Sequence, residues 1–204
     1  PLSQSLQVSP RVFDGLGEVT VSTTQYVPGQ YWFTNIYGIW QPSRSADYGI
    51  DFSEVLENVY STPYVFECTP GYLTVMSLTS DLMSNVPAIV NLEHIDLSAG
   101  AHASADLSSL STTGKALISP RIDRAAGEQV MLEAIYPVYD GNVSMYYASV
   151  TARDYDIYLP KNEPFLLQAG LCACDDMNAA GEYLDSWIMT RDNQTYSSDF
   201  VWNI

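Results

Sequence analysis

Two histidines and a scatter of carboxylates carry most of the chemistry this sequence could perform. His94 and Asp96 form a His-x-Asp pair in NLEHIDL, and His102 and Asp106 follow in HASADL. Residues two apart in an extended chain share a face, so one imidazole and one carboxylate would point the same way. A second histidine from a nearby loop could then complete a site for a divalent ion. The spacing matches no strong ligand signature, however, and a solvated strand edge gives the same alternation. Asp175 and Asp176 offer oxygens for calcium, but no D-x-[DN]-x-[DN]-G run accompanies them. No metal is expected.

Asp154 and Asp156, in YDGNVSMYYASVTARDYDIYLP, invite a different chemistry. Paired carboxylates serve glycoside hydrolysis when they flank a cleft at the right separation. If the strand after the Asp140-Gly141-Asn142 turn runs unbroken, Asp154, Asp156 and Tyr158 share one face. Arg153, Tyr155, Ile157 and Leu159 then share the other. No histidine or second acid cluster stands beside the two aspartates in sequence, so they read as the wet side of a strand. The chain holds 24 Asp and Glu, which makes a fortuitous pair almost certain. It lacks a G-x-S-x-G elbow, an H-E-x-x-H run, a P-loop and a dinucleotide fingerprint. The expectation is a chain that is not an enzyme, with no catalytic residues and no cofactor.

Cys68, Cys172 and Cys174 are too few for a disulfide framework. They read as buried small hydrophobes, with a bridge from Cys68 to one of the others left open. Two N-x-[ST] sequons, at Asn142 and Asn193, fall where turns are expected and so mark those turns as exposed.

Charge narrows the partners. With 8 Lys and Arg against 24 Asp and Glu the net charge is −16. Such a field repels polyanions, so neither nucleic acid nor insertion at an anionic membrane is expected. No apolar run approaches the roughly 20 residues that span a bilayer. The opening PLSQSLQVSP has no initiator Met and no signal core, so the chain reads as one β domain, 1–204, excised from a longer protein.

The elements that must position these residues are short and β-rich. FDGLGEVTVSTTQYV starts with a Gly-rich turn and alternates Val19, Val21 and Thr23 with polar neighbours. GQYWFTNIYGIW is a dense apolar block. PYVFECTPGYLTVMSLTSD splits into strands at Tyr64–Cys68 and Tyr72–Thr79, joined by a Thr69-Pro70-Gly71 turn. AIVNLEHIDL, PFLLQAGLCAC, YLDSWIMTR and FVWNI are further strands. QVMLEAIYPVY and VSMYYASVTA flank Asp140-Gly141, the strongest short-range hairpin signal, with Pro137 demoting the first arm to an edge or marking a bulge. Two short helices are expected, over DFSEVLENV and near Ser104 to Leu110. The fold class is therefore all-β: an antiparallel β-sandwich, jelly roll or β-barrel with one or two short helices.

Fifteen tyrosines are a heavy load, and Tyr26, Tyr31, Trp32, Tyr37, Trp40 and Tyr48 crowd the first quarter, either as a large aromatic core with polar tips or as more than a core absorbs. Aromatics of this kind suit recognition faces and subunit interfaces. The candidate binding residues are Trp40, Arg44, Tyr48, Asp140 and Asn142, all read as exposed loop positions.

The texture of FDGLGEVTVSTTQY, TPGYLTVMSLTSD and AIYPVYDGNVSMYYASV resembles that of viral capsid surface domains, most of all the protruding spike of an astrovirus-type capsid protein. The resemblance implies a β-barrel-like spike on the virion surface that forms a homodimer and meets a host-cell receptor, protein or glycan, and antibodies. A second likeness is to the sheet region of Cache-type bacterial sensors, through GKALISPRIDRAAGEQVMLEAIYPVYDGN. Those domains open with a long helix that PLSQSLQVSPRVFDGLGEV does not supply. A carbohydrate-binding β-sandwich or adhesin is the third, supported by the aromatic cluster.

Overall fold

The computed structural model describes residues 15–24, 32–45, 50–57, 63–81, 86–121, 123, 128–136, 147–150, 156–173 and 188–203. Among the described residues fourteen strands run in order β1 Gly17–Thr23, β2 Trp32–Gln41, β3 Ile50–Glu57, β4 Tyr64–Cys68, β5 Gly71–Asp81, β6 Ala88–Leu97 and β7 His102–Leu107. They continue with β8 Lys115–Arg121, β9 Glu128–Ile135, β10 Tyr147–Val150, β11 Ile157–Pro160, β12 Pro164–Ala173, β13 Ile188–Thr195 and β14 Phe200–Asn203. The expected all-β class is what the chain adopts. The two expected helices are corrected: residues 50–57 and 102–107 are strands β3 and β7. In β3 the apolar Ile50, Phe52 and Val55 sit among charges, and pairing along β2 overrides the local helical spacing.

The strands form three sheets. The central one has seven strands in the order β14-β8-β11-β6-β5-β2-β3; a three-stranded sheet is β4-β1-β7, and a four-stranded sheet is β10-β9-β12-β13. Side-chain parity shows how they stack. On β5, Leu73 and Val75 join Val19, Val21, Ala105 and Leu107 of the three-stranded sheet in one core cluster. Met76 and Leu78 join Leu132, Ala134, Phe165 and Leu167 of the four-stranded sheet in another. Alternate residues of a strand point to opposite faces, so β5 lies between two layers and is buried from Tyr72 to Ser80. Most ladders are antiparallel, as expected, but not all. Three ladders, β1 with β7, β11 with β6 and β14 with β8, are parallel.

Several connections change sheet. The Thr69-Pro70-Gly71 turn carries the chain from β4, paired with β1, into β5, paired with β2 and β6. Gly71 is required at that crossing: a Cβ there would collide with the Gln41 carbonyl oxygen and stand 2.6 Å from Trp40 Nε1. The indole N–H of Trp40 instead donates to the Thr69 carbonyl at 2.9 Å, which fixes the turn.

β9 and β10 are antiparallel partners with Ile135 opposite Tyr147, a register centred where the sequence places its Asp-Gly turn. The turn residues themselves lie outside the described set. The edge reading of the first arm is corrected, because β9 lies between β10 and β12 and ends at Ile135, before Pro137. The unbroken strand through Asp154 and Asp156 is corrected too. β10 ends at Val150 in one sheet and β11 begins at Ile157 in another. Ile157 and Leu159 do share the inward face, both fully buried.

Candidate functional site

Among the described residues a cluster of polar and aromatic contacts lies where one end of the central sheet meets the four-stranded sheet. On β5, Tyr72 and Thr74 take the parity that faces the four-stranded sheet, as do His94 and Asp96 on β6. The ladder sets Tyr72 opposite Asp96 and Thr74 opposite His94. Directly opposed side chains are close, and Thr74 Oγ1 lies 3.0 Å from His94 Nδ1. Tyr72 and His94 are diagonal neighbours, and their rings stack with centroids 5.5 Å apart and planes 16° from parallel.

Two residues arrive from the other sheet. Tyr136 follows the last residue of β9, and Glu163 precedes β12. Asn162 adopts φ 66° at the turn between β11 and β12, a left-handed conformation that asparagine tolerates better than most residues. This turn swings the chain from the central sheet to the four-stranded sheet and delivers Glu163. Tyr136 is propped from below by Phe165, ring edge to face at 5.7 Å. Its own ring lies 5.9 Å from that of His94.

Three polar atoms converge there. Glu163 Oε2 is 3.4 Å from His94 Nε2 and 3.3 Å from the Tyr136 hydroxyl, which is itself 3.5 Å from His94 Nε2. Charge-assisted hydrogen bonds usually close to about 2.7–2.9 Å, so this triangle is loose and has capacity to spare. When the Thr74 hydroxyl donates to Nδ1, the ring proton sits on Nε2 and is offered to Glu163. At the far end of the stack the Arg44 guanidinium lies 5.7 Å over the Tyr72 ring, a cation–π contact. The sequence Arg44, Tyr72, His94, Tyr136 is thus a ladder of planar groups, with Glu163 closing its inner end.

The ladder also sets its own titration. Burial pushes the Tyr136 phenol well above its ordinary value, and the charge and hydrogen bond of Glu163 push it further. Tyr72 is raised as well, chiefly by burial, with Arg44 working against Asp96 and Glu163. Tyr136 therefore stays a hydrogen-bond donor across the physiological range. A phenol that holds its proton when folded, but releases it near pH 10 when unfolded, contributes stability below about pH 10 and loses it as pH rises further. Chemical denaturation between pH 9 and 11 should show stability falling with pH, and falling less steeply in Tyr136→Phe. Equal slopes would remove Tyr136 as the source.

Of the residues expected to bind, only Arg44 belongs to this site. Trp40 is corrected from an exposed loop position: it lies within β2, half-buried against the core, with its N–H committed to Thr69. Tyr48, Asp140 and Asn142 lie outside the described residues, as do Asp154, Cys174, Asp175 and Asp176.

The residues weighed as metal ligands are dispersed. His102 Nδ1 meets Glu18 Oε1 at 2.8 Å across β1 and β7. The Asp106 carboxylate accepts the Ser108 hydroxyl and amide, which holds its pKa below the ordinary range. Among the described residues no three His, Cys, Asp or Glu side chains converge. Asp156 pairs with Arg121 at 2.9 Å. Cys68 is a free, half-buried thiol whose pKa burial raises. The Asn193 sequon is corrected from a turn to strand β13.

The sequence carried a partial signal for the ladder. Period-two spacing after the Thr69-Pro70-Gly71 turn places Tyr72 with Thr74, and the same spacing in NLEHIDL places His94 with Asp96. Nothing local foretells that Tyr136 and Glu163, distant in sequence, meet them.

No protein-family model and no curated protein matches the chain. Among the solved structures that it is similar to are two from Bacteroides. One is a candidate adhesin from Bacteroides ovatus ATCC 8483, at 9% identity, covering 100% of this chain and 98% of that one, with a TM-score of 0.28. The other is a candidate cell adhesion protein from Bacteroides fragilis NCTC 9343, at 8% identity, 93% and 92% coverage and a TM-score of 0.24. Overlaps this low leave fold and function to be argued from the chain's own residues.

Proposed function

We propose that this chain is a non-enzymatic recognition domain working at an exterior surface, of adhesion type, which binds its partner through the Arg44–Tyr72–His94–Tyr136–Glu163 ladder. The observation that carries the reading is the ladder's construction. Solvent-accessible donors and acceptors are held in place by strand residues and a buried ring, so little side-chain freedom is lost on binding. Tyr136 supports binding over acid–base chemistry, because its raised pKa keeps it a donor and makes it a poor proton acceptor at neutral pH. The −16 charge disfavours nucleic acid and bare anionic membranes as the partner.

Binding of the labelled protein to intact cells tests the reading. Saturable binding is expected, and the double variant Arg44→Ala/Glu163→Ala should reduce it at least tenfold while keeping its thermal unfolding transition. Undiminished binding by the double variant would reject the ladder as the contact surface. Thermal stabilisation by free amino acids or small carboxylates would instead favour a sensor.

The finer reading is host-cell attachment from a virion, with the domain as a homodimeric capsid spike. It calls for a solution mass near twice 22.6 kDa by light scattering. A basic region ahead of a capsid shell in the flanking sequence would support it, and flanking transmembrane helices would sink it.

A further inference from the structure

We infer that the ladder takes a neutral saccharide, gripping a vicinal pair of sugar hydroxyls between Glu163, His94 and Tyr136, with Arg44 as a donor at the other end. The inference rests on the recognition reading above and names its ligand class.

The mixture of signs decides the class. An anionic ligand would meet Arg44 but also Glu163, Asp96 and a chain of net charge −16. A cationic ligand would be drawn by that field but would find the outer end of the ladder held by a cation already, Arg44 over Tyr72. Arg44 stands over Tyr72 at one end of the stack and Glu163 meets His94 and Tyr136 at the other, so the two charges flank one strip of surface. A ligand that uses both must carry donors and acceptors in equal measure and no net charge. Sugar hydroxyls are such groups.

Capacity fits as well. Both contacts of Glu163 use Oε2, so among the described residues Oε1 accepts no hydrogen bond. A carboxylate with one free oxygen and one loosely held oxygen can accept two adjacent hydroxyls. Tyr136 donates its one proton to Glu163, which leaves its oxygen free to accept a sugar hydroxyl, and the Arg44 N–H groups can donate to the sugar oxygens. Arg44 forms no ion pair among the described residues, although acids outnumber bases in the chain by 24 to 8. The ring faces are largely taken by one another, so the grip comes from polar edges, and a single sugar should bind weakly.

Saturation-transfer NMR and calorimetry with methyl α-mannopyranoside, methyl β-galactopyranoside and methyl α-glucopyranoside test this, with methyl β-glucuronide and N-acetylneuraminic acid as charged probes. At least one neutral glycoside should bind in the millimolar range and more tightly than either acid. Glu163→Gln should weaken it about tenfold, as expected for losing a charged hydrogen-bond acceptor, and Arg44→Ala should weaken it severalfold. Absence of binding by every neutral glycoside, preference for an acid, or indifference to Glu163→Gln would each overturn the inference. If the protein still binds cells through the ladder after such a result, the recognition reading survives and only the sugar assignment falls. If it binds neither, both fall.

Discussion

Phe165→Ala should destabilise the protein by about 3–5 kcal/mol, the range for removing a fully buried aromatic ring. Phe165 is completely buried on β12, in the cluster shared by the central and four-stranded sheets. Neighbours from both layers, with Ala134 and Leu167 among the small or branched ones, cannot all close on the space it leaves. The ring has a second task, since Tyr136 rests edge-on against it. Loss of that support should let Tyr136 move relative to His94 and Glu163. Urea unfolding would measure the first effect, and cell or glycoside binding by the surviving folded protein the second. Phe165→Leu separates them: it should cost less stability than the alanine variant, yet still loosen Tyr136. A stability change below about 1 kcal/mol for Phe165→Ala would mean that the two sheets do not pack as described.

The same dependence explains why the fold was legible in the sequence and most of the site was not. Strand existence is a local property. Alternation in GEVTVST and the Val- and Ile-rich run of AIVNLEHIDL indicate β1 and β6, and the structure has them there. Sheet membership is not local. Tyr64–Cys68 and Tyr72–Thr79 look like two arms around a turn, but the turn takes the chain between layers. The clue was present in YLTVMSLTS, where small hydroxyl residues interrupt an apolar run on both faces. A strand covered on both sides is apolar at both parities, and the small polar side chains it does carry must find partners inside. Thr79 meets Thr34, and Ser77 donates to the Leu107 carbonyl.

The helix expected over residues 51–59 failed for the converse reason. Its apolar spacing suited either period, and the long β2 edge decided between them. At the site, Arg44 was legible as an exposed cation near aromatics, and His94 as a polar residue on a strand. That they are two rungs of one ladder depends on the β5–β6 register and on two chain turns from another sheet. Aromatic crowding in the first quarter pointed partly astray, since Trp40 is occupied in holding a turn.

Asn91 tests the opposite interface of the central sheet. It is buried on β6, and its amide donates to the Leu107 carbonyl at 2.9 Å and to the Ser109 carbonyl at 3.0 Å. These bonds fasten the end of β7, in the three-stranded sheet, to the central sheet. Asn91→Ala removes both donors, leaving Leu107 O to Ser77 and depriving Ser109 O of its partner. Stability should fall by about 2–4 kcal/mol, counting about 1–2 for each carbonyl affected. Asn91→Asp is the sharper experiment because it keeps the shape and reverses the polarity. The carboxylate would face two carbonyl oxygens with nothing to donate, so it must be buried charged or take up a proton. It should be less stable than the alanine variant at pH 7 and recover part of the difference as pH falls and the acid gains its proton. A variant as stable as the parent, or one whose stability ignores pH, would show that Asn91 does not fasten β7. The three-stranded sheet would then be held to the central one without it, by the Ser77 hydroxyl on the Leu107 carbonyl, the Asp106 amide on the Glu93 carboxylate and apolar packing.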